Sequence, residues 1–448
     1  MNKTLSKYAF YYPLYFLRGG VLSPKIKQLQ TSQWYSPDEL AHRQRILLKQ
    51  KLSFIYENIP FYRRRFDKAG LHPLDIKSIE DISKIPVVEK RDIITHKKKF
   101  KFIGYSRKTS GSTGIMLQFH KDAEALTMMD AVMYRNYSWY DIEVGTPYAR
   151  FWVRPLSRTG QIRTRGKDML LNRITLSPHE LYEEKYLRFL KQLDSFRPRY
   201  IYSYAQSIYQ FSRYFYDMGQ SLRYLNLDAV IVTSEMITAE QIGIIRMVFG
   251  CPVVIEYGCT EIGIIAMECP SGKMHIMSEN LIVEFLKDGK PAGPGESGDI
   301  IVTELYGRLF PFIRYRLGDR GSLSGRMCEC GRGIPLMESI QGRVTDYIVC
   351  PSGRLVEPYS FEYIFKETSH FWDYIRQYRI VQKSRDLLII EWVPGSKTNR
   401  GLIPHLQTKI ETSLEKGMQV VFKQVREIER DKSGKLRNFI REEDTNIL

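Results

Sequence analysis

The chain has 448 residues, 43% of them hydrophobic and 26% charged, with a formal net charge of +17. That length is too great for one simple core and points to two or three domains, while the composition is that of an ordinary soluble globular protein. The longest apolar runs, such as Ile262 to Met267, are far too short to span a bilayer, and the N-terminus lacks the apolar run of a signal peptide, so a cytoplasmic location is expected.

The positive charge admits nucleic acid, an anionic membrane or a polyanionic small substrate as partner. No finger, helix-turn-helix or RNA-binding signature accompanies it, which disfavours nucleic acid. The densest cluster, Lys97 to Lys101, reads as a solvated loop. Six irregularly spaced cysteines read as thiols or metal ligands rather than as a disulfide framework.

Lys7 to Leu17 is crowded with aromatic residues. Such a segment suits a membrane interface or an arm packed on its own domain; the second is favoured because Pro13 should interrupt any helix. Ser36-Pro37-Asp38-Glu39 has the capping serine, the first-turn proline and the glutamate of a capping box, so a helix should run from there to about Asn58. A short helix ending at Gly70 and further short helices around Ile85-Pro86 follow. Then comes Thr109-Ser110-Gly111-Ser112-Thr113-Gly114, where glycines let backbone amides approach an anion and hydroxyls donate to it.

Beyond that loop, Ile115 to Phe119 reads as a strand and Asp122 to Tyr140 as a long helix. Short apolar runs (Ala149 to Val153, Tyr200 to Tyr204, Ala229 to Thr233, Val253 to Glu256) then alternate with helical patterns (Pro178 to Phe196, Ser207 to Met218, Thr238 to Phe249). The rhythm predicts a mostly parallel sheet with crossover helices. Leu281 to Ile313 changes to short strands with turn signals, an antiparallel or barrel-like subdomain. From Gly342 the strands and helices of a small α+β domain follow. The expected domains are therefore residues 1–341 and 342–448.

Four further stretches bear chemistry. Tyr257-Gly258-Cys259-Thr260-Glu261 puts an aromatic face, a glycine and a hard carboxylate after a strand, a combination suited to adenine and magnesium. In Arg314-Tyr315-Arg316-Leu317-Gly318-Asp319 the carboxylate can accept two ribose hydroxyls, while the arginines either meet phosphates or form ion pairs at a strand end. Gly342-Arg343-Val344-Thr345-Asp346 falls where the domains join, and Asp431 to Arg437 carries a Ser-Gly-Lys turn at Lys435. Separately, Cys269, His275, Cys328 and Cys330 supply three thiols and an imidazole, enough for a tetrahedral structural zinc site or merely four unrelated loop residues.

In this order the motifs resemble those of the adenylate-forming (AMP-forming acyl-CoA synthetase) superfamily. The narrower resemblance is to the phenylacetate–CoA ligase branch with its capsular-polysaccharide relatives, through Ile59-Pro60-Phe61-Tyr62, Phe66 to Gly70, Asp81 to Lys90 and Phe310 to Arg316. It implies a large domain of sheets with flanking helices, a barrel-like subdomain and a small mobile lid. It also implies that a carboxylic acid is activated by ATP to an acyl-adenylate and passed to coenzyme A or a carrier-protein thiol. Under the resemblance, Thr109, Ser110, Gly111, Ser112, Thr113 and Gly114 hold the β- and γ-phosphates, and Thr113 and Glu261 position Mg²⁺. Ser234, Glu235, Tyr257, Gly258 and Thr260 border adenine, Asp319 holds the ribose of ATP or AMP, and Arg343 lies near ribose or phosphate. Lys435 bridges the substrate carboxylate and the α-phosphate. Some members of the branch carry zinc at the cysteine–histidine set. The branch typically has two acidic residues after Gly-Arg-x, where this chain has Thr345-Asp346, which leaves the hinge position open. Transfer to a sugar amine or hydroxyl, and a catalytically silent scaffold in polysaccharide assembly, are the rival readings.

Overall fold

The computed structural model describes residues 2–96, 100, 104–109, 117–152, 158–177, 183–343, 348–352, 355–356, 361–366, 371–395, 397, 401–430 and 436–442. The chain divides into two compact units, Met1–Gln341 and Gly342–Leu448.

The larger unit is organised by one twelve-stranded mixed sheet. Its parallel half runs Arg173–Leu176, Tyr148–Phe151, Tyr200–Tyr204, Ala229–Thr233, Val253–Cys259. The ladder then continues without a break into antiparallel strands, Gly263–Glu268, Met274–Ile276, Leu336–Arg343, Tyr315–Leu323, Gly298–Glu304, Leu281–Lys287 and Lys290–Pro291. Parallel strands buried on both faces alternate their side chains between two cores. Tyr200, Ala229, Ile231 and Val254 join one core with Tyr134 and Tyr137, while Ile201, Val230, Val232 and Val253 join the other with Ile208, Phe211 and Ile245.

The crossover helices follow their local signals. Asp122 caps Ala123–Tyr137 by accepting from the Ala125 amide, and Thr238 with Gln241 forms a capping box on Ala239–Phe249. Gly250, at φ +68°, closes that second helix in the left-handed conformation. The predicted capping box at Ser36 and Glu39 is present on Pro37–Asn58, with its two reciprocal bonds at 3.3 and 2.8 Å. The helix Arg158–Leu170 and the strand Arg173–Leu176 have no counterpart in the sequence reading. That strand has only four residues, too short for a period-2 pattern to stand out.

Pro13 does not break the N-terminal arm, contrary to expectation. Lys3–Leu5 is α-helical, Ser6–Tyr11 is π-helical and Tyr12–Leu17 is α-helical. The Tyr12 amide reaches back five residues to the Lys7 carbonyl, and proline then sits in the first turn of the next helical segment, where its missing N–H costs least. Tyr11 and Tyr15 are buried, and the arm packs on its own unit, with the Tyr11 hydroxyl donating to the Leu171 carbonyl at 3.1 Å.

The smaller unit holds a four-stranded sheet ordered Gln419–Gln424, Leu387–Pro394, Ile375–Gln382, Phe439–Arg441, with helix Leu402–Ser413 over a core including Ile380, Ile390, Leu406 and Val420. Its last strand is parallel to Ile375–Gln382. Among the described residues, no helix is long and apolar enough to cross a membrane.

Candidate active site

Ligands of open α/β sheets gather beyond the carboxyl ends of the parallel strands. In this sheet those ends carry Trp152, Tyr202, Tyr204, Ser234, Glu235, Glu256 and Tyr257.

The strand Val253–Cys259 runs through Tyr257 and Gly258, beyond the expected end at Glu256, and turns at Thr260 to Ile262 into Gly263–Glu268. The Tyr-Gly-x-Thr-Glu motif is thus a β-hairpin rather than a loop after a strand. Gly258 is required there, because a Cβ would stand 2.3 Å from the Gly263 carbonyl oxygen. The ladder register shifts between Tyr257 and Gly258, the kind of irregularity that re-aims side chains near sites.

This hairpin meets the Arg-Tyr-Arg-x-Gly-Asp strand. The Tyr257 hydroxyl donates to Asp319 Oδ2 at 2.7 Å, and the Tyr315 hydroxyl donates to Glu261 Oε1 at 3.3 Å. In the ladder, three strands separate Val253–Cys259 from Tyr315–Leu323, so the sheet curls far enough to bring its antiparallel part back against the parallel part. Tyr257, Glu261 and Asp319 therefore share one neighbourhood. Thr260 is exposed on the hairpin turn. One strand away, Ser234 adopts φ +71°, and Glu235 accepts from the Gln206 amide at 2.8 Å. A serine in the left-handed region is strained, and such strain concentrates at ligand sites.

Thr109 sits at the neck of the phosphate-loop motif. Its amide donates to the Leu117 carbonyl and its Oγ1 accepts from the Leu117 amide, both at 2.9 Å, closing the hairpin of Tyr105–Lys108 with Gln118–Lys121. Ser110, Gly111, Ser112, Thr113 and Gly114 lie outside the described residues, as do Lys435, Thr345, Asp346 and the lysines of 97–101. Arg343 ends the strand Leu336–Arg343.

Both arginines of the Arg-Tyr-Arg motif are engaged with the protein. Arg314 is buried, meets both Glu284 oxygens at 2.8 and 3.0 Å, and donates to the carbonyls of Ser83 (2.8 Å) and Ile85. Arg316 bridges Glu89 and Asp299. Of the two sequence readings, the ion pairs are present, buried at Arg314 and partly exposed at Arg316. The positive φ of Arg314, 45°, is held by this bonding.

Sequence reasoning did not single out Glu256, whose only signal is a carboxylate inside an apolar strand. It accepts from the hydroxyls of Tyr137 at 2.9 Å and Tyr202 at 3.0 Å. Burial pushes its carboxyl up to about 7 despite these bonds. Beside it, Trp152 stacks on Tyr204, with ring centroids 4.2 Å apart, and on Tyr202 at 5.4 Å. Trp152 is half-buried on this platform, whereas Tyr134 is buried against Tyr11.

The cysteine–histidine residues converge. The ligand atoms of Cys269, His275, Cys328 and Cys330 lie within 4.8 Å of one another. Cys269 and Cys328 sulfurs are 3.7 Å apart, and Cys330 Sγ is 3.3 Å from His275 Nε2. A zinc ion with Zn–S distances of about 2.3 Å has tetrahedral edges of about 3.8 Å, so the donor set fits that ion. His275 Nδ1 lies 2.9 Å from the Ile334 carbonyl, the outer contact that directs Nε2 to a metal. Burial lowers the histidine to about 4, which keeps it in the neutral, ligating form. Cys251 and Cys350 are buried packing residues, and Cys259 packs beside the core.

Comparison with known proteins agrees with this geometry. Residues 348–442 match the family described as the CapK C-terminal domain. A phenylacetate–coenzyme A ligase of Thermus thermophilus is 26% identical over 67% of this chain and 70% of its own length. Protein CapK of Staphylococcus aureus is 24% identical over 67% and 69%. These relatives, named phenylacetate–CoA ligase and CapK, together with the CapK C-terminal match, support the phenylacetate–CoA ligase and CapK-like branch of the adenylate-forming superfamily. Among solved structures, a 2-hydroxyisobutyryl-CoA ligase in its postadenylation state shares the fold, with a TM-score of 0.70, 19% identity and 89% of each chain covered. The amide bond synthetase McbA of Marinactinospora thermotolerans shares it at a TM-score of 0.52 and 18% identity, over 74% of this chain and 67% of its own. The relatives indicate an adenylate-forming, acyl-CoA ligase-like enzyme.

Proposed function

We propose that this enzyme uses ATP to activate a small carboxylic acid and then transfers the acyl group to the thiol of coenzyme A. The hydrogen bond from Tyr257 to Asp319 carries the reading, since it joins an aromatic ring suited to adenine with a carboxylate suited to a ribose diol. The acid's oxygen attacks the α-phosphorus, and the bond to pyrophosphate breaks. The thiol sulfur then attacks the acyl carbon, AMP leaves, and the thiol proton passes to solvent. No general base is needed in the first step, because a carboxylate is already ionised at neutral pH.

In this reading Thr109 to Gly114 restrain the departing pyrophosphate, Ser234, Glu235, Tyr257, Gly258 and Thr260 border adenine, Asp319 holds the ribose, and Arg343 lies near ribose or phosphate. Lys435 offsets the repulsion between the two reacting anions. Glu261, a hard carboxylate on the hairpin turn, would hold Mg²⁺ together with Thr113, and the ion would supply further charge neutralisation on the phosphates. Residues 1–341 would form the adenylation domain. Residues 342–448 would act as the lid that brings Lys435 in for the first step and withdraws it for the second. Cys269, His275, Cys328 and Cys330 would bind a structural zinc. The resemblance to the capsular-polysaccharide branch and the likeness to Protein CapK support a place in surface polysaccharide synthesis.

The fold alone does not choose between thiol and amine acceptors, because an amide bond synthetase shares it. Acid-dependent pyrophosphate exchange, followed by AMP release with and without coenzyme A, tests both steps. Protein that binds ATP yet exchanges pyrophosphate with no acid in a broad panel overturns the proposal, and AMP release that ignores coenzyme A moves the acceptor to another nucleophile. Tyr257→Phe should raise the KM for ATP about tenfold, the loss expected for a hydrogen bond to a charged group in a half-buried site.

A further inference from the structure

The N-terminal arm is anchored on one side only. Ser6, Tyr11 and Tyr15 point into the protein, whereas Leu5, Tyr8, Phe16 and Leu17 face outward, with Phe16 74% and Leu17 82% exposed. Tyr8 meets Tyr12 edge to face, ring centroids 5.5 Å apart, and Tyr12 in turn packs against the core. The helix Arg158–Leu170 lies next to this arm, since Ser6 Oγ reaches the Leu170 carbonyl at 3.5 Å and the Tyr11 hydroxyl reaches the Leu171 carbonyl. It too exposes apolar side chains, Ile162 at 69% and Met169 at 73%.

Both elements are basic. Residues 1–36 contain five Lys or Arg and no Asp or Glu. The exposed Arg163, Arg165 and Lys167 lie on the second helix, and its one acid, Asp168, is buried in pairs with Arg150 and Arg173. Two acids face the arm, Glu143, paired with Lys3 and Lys7, and Asp130, which accepts from the Tyr15 hydroxyl. Exposed aromatic and aliphatic side chains ringed by cations match a surface with an apolar interior and anionic headgroups. A second copy of this chain would bring a like-charged face against this one.

We propose that the arm and the helix Arg158–Leu170 form one docking face for an anionic phospholipid surface, with Phe16 and Leu17 entering the headgroup boundary. The proposal is independent of the reaction assigned above. Sedimentation with phosphatidylcholine vesicles, with and without phosphatidylglycerol, tests it on the full chain. The wild type should sediment with the phosphatidylglycerol vesicles and be released by added salt. Phe16→Ser with Leu17→Ser should lower partitioning about tenfold or more, as should Arg163→Glu with Lys167→Glu. All these positions are exposed, so the circular-dichroism melts should stay at the wild-type temperature. Three results overturn the proposal: no sedimentation with either vesicle, equal partitioning of the wild type and the Phe16/Leu17 variant, or a wild-type dimer that this variant dissociates, which would assign the face to a second copy.

Discussion

Glu256→Gln separates the charge of the buried carboxyl from its shape. In the folded protein burial raises this group from an ordinary 4.5 to about 7, while the unfolded chain returns it to water. The native state therefore holds the proton more tightly than the unfolded state. The stabilisation is complete below about pH 4.5 and is lost as pH rises through about 7. The difference corresponds to about 3 kcal/mol, at about 1.4 kcal/mol for each tenfold change in proton affinity. Glutamine keeps an acceptor oxygen for the Tyr137 or Tyr202 hydroxyl and cannot ionise. Urea unfolding followed by tryptophan fluorescence, at about pH 5 and about pH 8, reads the effect. The stability of Glu256→Gln relative to wild type should rise by up to about 3 kcal/mol between the two conditions. A constant difference would refute the reasoning, because it would mean that Glu256 is ionised in the fold at both pH values.

Gly258→Ala should destabilise the protein by about 2 kcal/mol or more and lower its melting temperature, since the new methyl meets the Gly263 backbone and the hairpin must open to admit it. Cys330→Ser should remove a zinc that the wild type carries at one per chain by elemental analysis, and chelation of the wild type should lower its melting temperature; zinc-free wild type of unchanged stability would contradict the proposed metal role. Lys435→Ala should slow pyrophosphate exchange by about a hundredfold or more yet leave thioester formation from a supplied acyl-adenylate nearly intact, and equal loss of both steps would refute the assignment of this lysine to adenylation.

The motifs proposed to carry the chemistry are legible in the sequence, because only a few residue types can approach a phosphate, hold a ribose or bind a hard ion. The alternation of short apolar runs with helical stripes likewise marks the parallel sheet, since each buried strand and each half-buried helix obeys its own period. Ser36 with Glu39 and Thr238 with Gln241 mark helix starts for the same local reason.

What the sequence could not decide is where distant segments meet. Arg314 has the same local signature whether or not it meets Glu284, thirty residues away, and only the folded sheet brings the two together. Pro13 reads as a helix breaker until the π-turn before it supplies a geometry that tolerates proline. Glu256 looks like one polar residue in a strand, and its raised proton affinity comes from the core that buries it, against the opposing pull of hydroxyls on two other elements. The sequence by itself determined which groups are available, because backbone sterics and hydrophobic period act over a few residues. The tertiary structure decided which of them act together, because burial and hydrogen bonding depend on neighbours that chain order does not specify.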